Sequence, residues 1–281
     1  MERAERHKVG RGDGRPNGHR QGRALRVRGD WRQFLDLVDE ERISAAVAAL
    51  QEFLGVESLA GRRFVDVGSG SGLSSLAARR LGASVVSFDF DPESVACTRE
   101  LRRRHDPDGD WRVEEGSVLD REYIDSLGQF GVVYSWGVLH HTGDLWAALD
   151  TAIRLVAQDG LLWVALYNDQ GQPSRVWARV KRSYNVGGPW ARRALLSGSS
   201  AYFTLRGAPR LVVRKVAGRP VSPRPRGTDR RRDLVDWVGG WPFEVSKPEQ
   251  VLAACRARGL EMRNLRTVGG RGGNNEYLFS R

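Results

Sequence analysis

The sequence predicts an α/β fold, a doubly wound sheet of seven strands with a helical insertion after the fifth, and three observations carry that prediction. Short apolar runs alternate with helical stretches between residues 61 and 167, the mark of parallel β-α-β units. A glycine-rich turn, Gly68-Ser69-Gly70-Ser71-Gly72, follows the first of those runs. The rhythm then breaks across 171–238, where arginine and proline accumulate, and resumes with a last helix and two strands.

The elements follow in order. Residues 1–30 hold nine Lys/Arg and four Asp/Glu, are rich in glycine and lack periodicity, so 1–24 reads as a disordered basic tail. Apolar residues at Trp31, Phe34, Leu35, Val38, Ile43, Val47, Leu50 and Leu54 recur at helical spacing and make 25–60 an N-terminal helical cap. Arg63-Phe64-Val65-Asp66-Val67 is the first strand, and a helix over 73–81 stops at Gly82. The second strand is 84–89. Asp91 and Pro92 then supply an N-cap and a first helical residue for a helix reaching about 104. Residues 111–114 and 131–135 are strands three and four. Asp144 caps a helix over 145–156, and 161–167 is strand five, closing a core of 61–170. The insertion or lid, 171–238, contains helical pieces around 175–184 and 191–196, a Pro/Arg-rich stretch at 218–226, and order resuming at Asp233. Ser246-Lys247-Pro248-Glu249 fits a capping box for a helix that ends at Gly259. Strands over 260–268 and 275–280, joined by the turn 269–273, complete the sheet within a C-terminal segment of 239–281.

Charge is unevenly spread. The chain carries a net +11, yet residues 171–232 hold sixteen Lys/Arg against Asp229 alone, so the core is acidic and its appendages basic. Only four of the 45 basic residues are lysines (Lys8, Lys181, Lys215, Lys247), which points to a general bias towards arginine rather than a dedicated polyanion surface. No run of about 18 apolar residues occurs, and the N-terminus lacks the apolar stretch of a secretory signal. Cys97 and Cys255 show no metal-ligand spacing and no disulfide framework, so the expected compartment is the cytoplasm, with no metal.

The glycine turn is where a ligand belongs. Alternating glycines let the backbone turn sharply and approach a ligand without a Cβ, and the helix that follows offers N–H groups. Open α/β sheets bind ligands at the carboxyl ends of their strands. A dinucleotide site needs Gly-x-Gly-x-x-Gly, but Leu73 stands sixth from Gly68 and Ser75 sixth from Gly70, so that reading fails. Asp89, ending the second strand 21 residues after Gly68, is placed to hold ribose hydroxyls, as a strand-end carboxylate facing a cleft.

The pattern Asp66-x-Gly68-x-Gly70-x-Gly72 resembles the first motif of the class I S-adenosylmethionine (SAM) dependent methyltransferases. The resemblance extends over about 61–167, through Glu115-Gly116-Ser117-Val118-Leu119-Asp120, through Tyr134-Ser135-Trp136-Gly137-Val138-Leu139-His140-His141, and through Gln158-Asp159-Gly160-Leu161-Leu162. It implies a Rossmann-like fold with SAM as cofactor. It also implies that Asp66 helps hold the methionine ammonium and that Gly68, Ser69, Gly70 and Gly72 meet the carboxylate end. Asp89 would hold the ribose, and Phe90 would pack on adenine. Ser117, where many members carry Asp, and the Val118 N–H would read the adenine edge, with Ser135 and Trp136 nearby. The stretches 167–171 and 236–244 are similar to those of a bacterial subgroup of small-molecule or quinone-type methylases.

Methyl transfer needs an oriented nucleophile and, for a phenol, enol or acidic carbon, a base. His140 and His141 follow strand four and are the candidate bases. Trp31, Tyr167, Asn168, Trp177, Tyr184, Trp241 and Asn275 are the candidate acceptor residues, with Phe243, Asn274 and Glu276 beside them. The expected reaction is methyl transfer to oxygen or carbon of a phenolic, quinone-like or natural-product acceptor. An RNA methyltransferase using the basic insertion is the alternative. Against nucleic acid stand the lack of an RNA-binding module, of an Asn-Pro-Pro-Tyr type motif and of a catalytic cysteine pair. A non-catalytic SAM-binding protein is a third reading. A lipid-quinone acceptor would bring peripheral membrane contact through the insertion, and nothing in the sequence sets an oligomeric state.

Overall fold

Alternation along the strands sorts the core into two layers. In β1 (Arg63–Val67), Phe64 joins one apolar cluster while Val65 and Val67 join the other. β4 (Phe130–Trp136) repeats this, with Val132 and Tyr134 on the first face and Val133 on the second. Strands covered on both faces are the expected product of crossover helices. The computed structural model describes residues 31–216, 230–270 and 272–281, and within helices it leaves aside the side chains of 31–33, 206–216, 230–233 and 236.

The remaining strands are β2 (Ser84–Asp89), β3 (Trp111–Glu115), β5 (Val156–Tyr167), β6 (Glu261–Arg266) and β7 (Asn274–Ser280). Their order is β3-β2-β1-β4-β5-β7-β6, parallel except for β7, which runs antiparallel to both β5 and β6. The seven-stranded α/β sheet is therefore as expected. Strand order reverses between β1 and β4, and the crevice at their carboxyl ends is where such sheets bind ligands.

α1 (Trp31–Leu37), α2 (Glu40–Leu54), α3 (Leu73–Arg80) and α4 (Pro92–His105) cover one face. α5 (Arg121–Leu127), α6 (Leu145–Arg154) and α10 (Pro248–Arg256) cover the other. Aspartates cap four of these helices: Asp91 and Asp144, as expected, accept from Glu93 N–H and Ala147 N–H, and Asp39 and Asp120 do the same for α2 and α5. α7 (Gln172–Val186), α8 (Pro189–Val216) and α9 (Arg230–Gly239) follow β5 and pack on one another.

Several boundaries differ from expectation. α6 ends at Arg154, not 156, because Val156 already pairs with Phe130. β5 starts at Val156 rather than 161, and Gln158-Asp159-Gly160 forms an irregularity inside it, taken up by Asp159 at φ 60°. The capping box is displaced by one residue: Lys247 is the N-cap of α10, and its N–H donates to the Gln250 side chain. Only that half forms, since an ammonium cannot accept a hydrogen bond. Ser246 instead bridges to Asn168. The insertion holds longer helices than the pieces expected, and α9 starts three residues before Asp233. Trp177 stacks on Phe203 at 5.3 Å and meets Tyr202 at 5.6 Å, a tertiary contact no local pattern contains. The tail 1–24 and the stretch 218–226 lie outside the described residues. No helix among the described residues is long and apolar enough to cross a membrane.

Candidate active site at the carboxyl ends of the strands

The chain leaves β1 through the glycine turn and enters α3 at Gly72. Gly68 has φ 79°, and a Cβ there would stand 2.3 Å from a Val138 methyl, so the turn can pass β4 only as glycine. Gly70 has φ 54° and nothing within 4 Å of where its Cβ would be. It therefore presents bare backbone to open space. Gly72 is the N-cap of α3 and offers no side-chain cap; the Ser75 N–H of the first turn bonds Asp66, which leaves the earlier N–H groups of the turn uncapped by a side chain.

Two carboxyls flank this turn. Asp66 is buried, and its Oδ2 accepts from Ser75 Oγ at 2.5 Å. Burial pushes its pKa up to about 7, the Asp89 charge adds to the rise, and the Ser75 hydrogen bond opposes it. Asp89 closes the turn from the other side, accepting from Gly70 N–H and from Asp91 N–H, each at 2.9 Å. Burial raises its pKa as well, against those two hydrogen bonds. No cation pairs with either carboxyl among the described residues. A pocket with two under-compensated carboxyls and open backbone suits a ligand carrying positive charge and hydroxyl donors.

Phe90 follows Asp89 and is a large ring left 55% exposed. Ser117 turns its hydroxyl to Leu119 N–H at 3.2 Å, forming a local turn, while the Val118 side chain is in the core. Ser69 is buried, with its hydroxyl 3.1 Å from that of Thr98. Ser135 is fully buried and donates to Val67 O at 3.0 Å, so its side chain ties β4 to β1 rather than facing a ligand. Trp136 is half-buried against the face that carries α2 and α3.

The paired histidines lie in a single 3-10 turn, Leu139–His141, and prove unlike each other. His140 is fully buried, stacks on Tyr167 at 3.8 Å, and accepts Tyr167 N–H at Nδ1. Burial drives its pKa well below 6.5, so the ring is neutral with its proton on Nε2. His141 lies 2.6 Å from Pro242 O through Nδ1, which must donate there, leaving Nε2 as an acceptor. Burial lowers its pKa to about 4, against the help of that hydrogen bond. Glu244 locks the turn in place: its N–H donates to His140 O, and its carboxylate accepts Gly143 and Leu145 N–H at the start of α6.

Of the expected acceptor residues, Tyr167, Asn168 and Trp177 come together, with Trp237 and Phe243, around a small internal space. Tyr184 does not join them; it packs under Gly239 and the Arg192 guanidinium. Asn275 is buried and donates to Asn168 Oδ1 while accepting Val268 N–H, so its amide is spent on tying β7 to the end of β5 and on closing the β6–β7 turn. Its neighbour Asn274 takes the other strand face. Trp241 is half-buried beside Pro242, and the Trp31 side chain lies outside the described residues.

Sequence reasoning missed Lys181. It is fully buried on α7, donates to Trp237 O, and sits 4.2 Å over the Trp237 ring and 4.8 Å over Phe243. Burial lowers its pKa to about 7. One signal was present: Trp177, Lys181 and Tyr184 share one helix face, and lysine is rare in this chain. A larger hollow of about 390 Å³, lined by Gly128, Arg154 and Arg281, lies at the opposite ends of the strands, away from all of these groups.

Residues 65–164 match the family model described as a methyltransferase domain. The ubiquinone biosynthesis O-methyltransferase of Xanthomonas oryzae pv. oryzae (strain PXO99A) is 34% identical over 110 residues, 39% of this chain and 45% of that protein. The mitochondrial ubiquinone biosynthesis O-methyltransferase of Bos taurus is 31% identical over 111 residues, 39% of this chain and 30% of that protein. The chain thus spans less than half the length of these curated relatives. Among solved structures, an S-adenosylmethionine dependent methyltransferase from Mesorhizobium loti aligns over 88% of this chain and 100% of its own, at 17% identity and a TM-score of 0.49. A magnesium protoporphyrin IX methyltransferase from Synechocystis PCC 6803, solved with bound SAH, aligns over 86% and 82%, at 13% identity and a TM-score of 0.49.

Proposed function

We propose that this chain, whose residues 65–164 form a methyltransferase domain, transfers a methyl group from SAM to oxygen or carbon of a small planar acceptor of phenolic, quinone-like or natural-product type. The observation that carries this reading is the pair Asp66 and Asp89 on either side of Gly70, two carboxyls without a cationic partner among the described residues, at an open stretch of backbone. A sulfonium nucleoside with an ammonium group and ribose hydroxyls matches that chemistry, and when bound it supplies an electrophilic methyl. Asp66 lies where it can face the ammonium. Asp89 keeps lone pairs for ribose hydroxyls beyond the two N–H groups it already accepts. Phe90 offers its uncovered ring to adenine, with the Ser117–Val118 backbone at the adenine edge.

The acceptor side is the aromatic group around Tyr167, reached from the glycine turn through Val138 and the histidine turn. Rings at Tyr167, Trp177, Trp237 and Phe243 orient a planar acceptor and exclude water. His141 Nε2 is free to accept a hydrogen bond from it. His140 acts as a structural support for Tyr167. The insertion serves as a lid, and its exposed Val186, Leu205 and Trp190, the last with the Arg193 guanidinium 5.4 Å over its ring, suit peripheral contact with an anionic membrane if the acceptor is a lipid. An RNA acceptor is disfavoured, because the residues gathered at the site are aromatic rather than arginine.

Calorimetry with SAM, with its demethylated product and with NAD tests the reading. Micromolar binding of the first two without NAD is the expected result. NAD binding without SAM binding would overturn it.

A further inference from the structure

Four buried polar atoms without a hydrogen-bond partner among the described residues sit on residues that adjoin Tyr167, two through its ring and two through its backbone: His140 Nε2, Trp237 Nε1, Ser246 Oγ and Asn274 Oδ1. The His140 ring is 3.8 Å from Tyr167 and the Trp237 ring 5.4 Å. Ser246 N–H donates to Tyr167 O, and Asn274 is Tyr167's register partner on β7. Native interiors rarely leave such atoms unpaired, and a cluster of them marks a place where something else binds. Lys181 Nζ lies 5.8 Å from the same ring centroid and has no carboxylate partner among the described residues.

The sign of the cluster is informative. Indole Nε1 only donates, and His140 Nε2 must carry the ring proton because Nδ1 accepts Tyr167 N–H. With the Lys181 amine, which already gives one N–H to Trp237 O, three donor groups stand around an aromatic cage in which no anion lies among the described residues. The missing partner is an oxygen bearing negative charge, attached to something flat enough to lie among the rings.

We propose that Lys181 binds and ionises the reacting oxygen of the acceptor, which makes that acceptor a phenol or catechol methylated at oxygen; this rests on the methyltransferase reading above. The acceptor O–H bond breaks, and its proton goes to the lone pair of the neutral amine, giving ammonium and phenolate. The phenolate oxygen then forms the new O–CH3 bond as the S–CH3 bond breaks and its electron pair returns to sulfur, leaving a neutral thioether. The ammonium afterwards releases its proton to water. A Lys181 pKa of about 7 suits this role, since a general base works best when it titrates near the operating pH. His141, held at about 4, is the weaker base for a phenol. The space now left among the rings is about 10 Å³, enough for one water, so the acceptor enters as α7 and α9 part from Tyr167.

The test uses 4-nitrocatechol, whose ionised form absorbs at longer wavelength, added to the full chain with S-adenosylhomocysteine at a pH where the free probe is protonated. The wild type should shift the spectrum towards the ionised form. Lys181→Met should lose the shift and bind the probe at least about tenfold more weakly, the loss of one charge-assisted hydrogen bond. Lys181→Arg should retain a shift, and the dimethyl ether of the probe should not distinguish wild type from Lys181→Met. Trp237→Phe, which keeps the ring and removes one donor, gives a second reading if Lys181→Met does not fold; it should weaken probe binding severalfold. An unchanged shift in Lys181→Met, no shift in the wild type, or preferential capture of 4-nitrobenzoate would overturn the inference. SAM binding, measured separately, keeps the two claims apart. If the wild type fails to bind SAM, the methyltransferase reading falls, whereas SAM binding with an unchanged shift in Lys181→Met sinks only the role of Lys181.

Discussion

Ser75 Oγ donates to Asp66 Oδ2 at 2.5 Å, and that contact ends a buried chain of donors. Trp111 Nε1 donates to Ser87 Oγ at 2.7 Å, and Ser87 Oγ donates to Ser75 Oγ at 2.7 Å. Three strands and a helix are thereby joined to one carboxyl whose charge burial opposes. Among the described residues no cation offsets the Asp66 charge.

Stability should therefore depend on pH through Asp66. Its folded pKa of about 7 exceeds the unfolded value of 3.8, so the native state binds more protons between them. The contribution is full below about 3.8 and is lost as pH rises through about 7, at no more than about 1.4 kcal/mol per pH unit. Asp66→Asn removes this dependence, so the variant should gain on wild type in melting temperature from pH 4 to pH 7. A constant difference between the two would show that Asp66 is already ionised.

SAM binding at pH 6 should release up to one proton, because an ammonium beside Asp66 favours its ionised form. Calorimetry in two buffers of different ionisation enthalpy measures this. Asp66→Asn should abolish the release. Proton uptake on binding would contradict the placement.

Asp89→Ala should weaken SAM binding by about 1.5–3 kcal/mol through lost charge-assisted hydrogen bonds. The sequence suggests a cleft-facing carboxylate that the apo fold does not need. The structure corrects this, since Asp89 already holds Gly70 and Asp91 N–H. The apo protein should therefore also lose about 1–2 kcal/mol. Chemical denaturation without ligand checks it, and an unchanged midpoint would argue that the turn stands without Asp89.

Two glycines two residues apart should fail differently. Gly68→Ala drives a Cβ into Val138 at 2.3 Å and should destabilise the fold by about 1–3 kcal/mol. Gly70→Ala meets no protein atom within 4 Å, so it should cost less stability yet obstruct SAM. Melting temperature and SAM affinity, measured on both, separate the roles. Equal destabilisation with equal affinity would remove Gly70 from the site.

Lys181→Met should raise stability at neutral pH. The folded pKa of about 7 lies below the unfolded 10.5, so the unfolded state binds more protons between them. The burial penalty is full below about 7 and shrinks as pH rises towards 10.5. His140 and His141, whose charged forms Lys181 opposes, and Tyr167, whose phenol burial raises to about 12, face the same space. The advantage of Lys181→Met in melting temperature should thus narrow from pH 7 to pH 10, and an advantage that grows with pH would contradict the buried-amine account.

The sheet and its glycine turn were legible because their causes are local. Period-two apolar runs, aspartate caps and glycines that must adopt positive φ leave the same mark in any chain that folds this way. Asp66, Gly68 and Gly70 could be named because one short turn holds them together, and Asp89 because it ends β2, the strand that pairs beside β1. By itself the sequence determined the fold class, the place of the cofactor turn and the candidate residues on it. Only the tertiary structure decided which polar groups are free to act. Both histidines look alike in sequence, yet Tyr167 N–H and full burial occupy His140 while Pro242 O orients His141. Asn275 spends its amide on Val268 and Asn168, and Asn274, one residue away, keeps a buried oxygen without a partner among the described residues. Lys181 looks like one basic residue among many until α9 places Trp237 against it, 56 residues further along the chain. Burial and partner choice arise from segments that meet only in three dimensions, and they set proton affinity and hydrogen-bonding capacity.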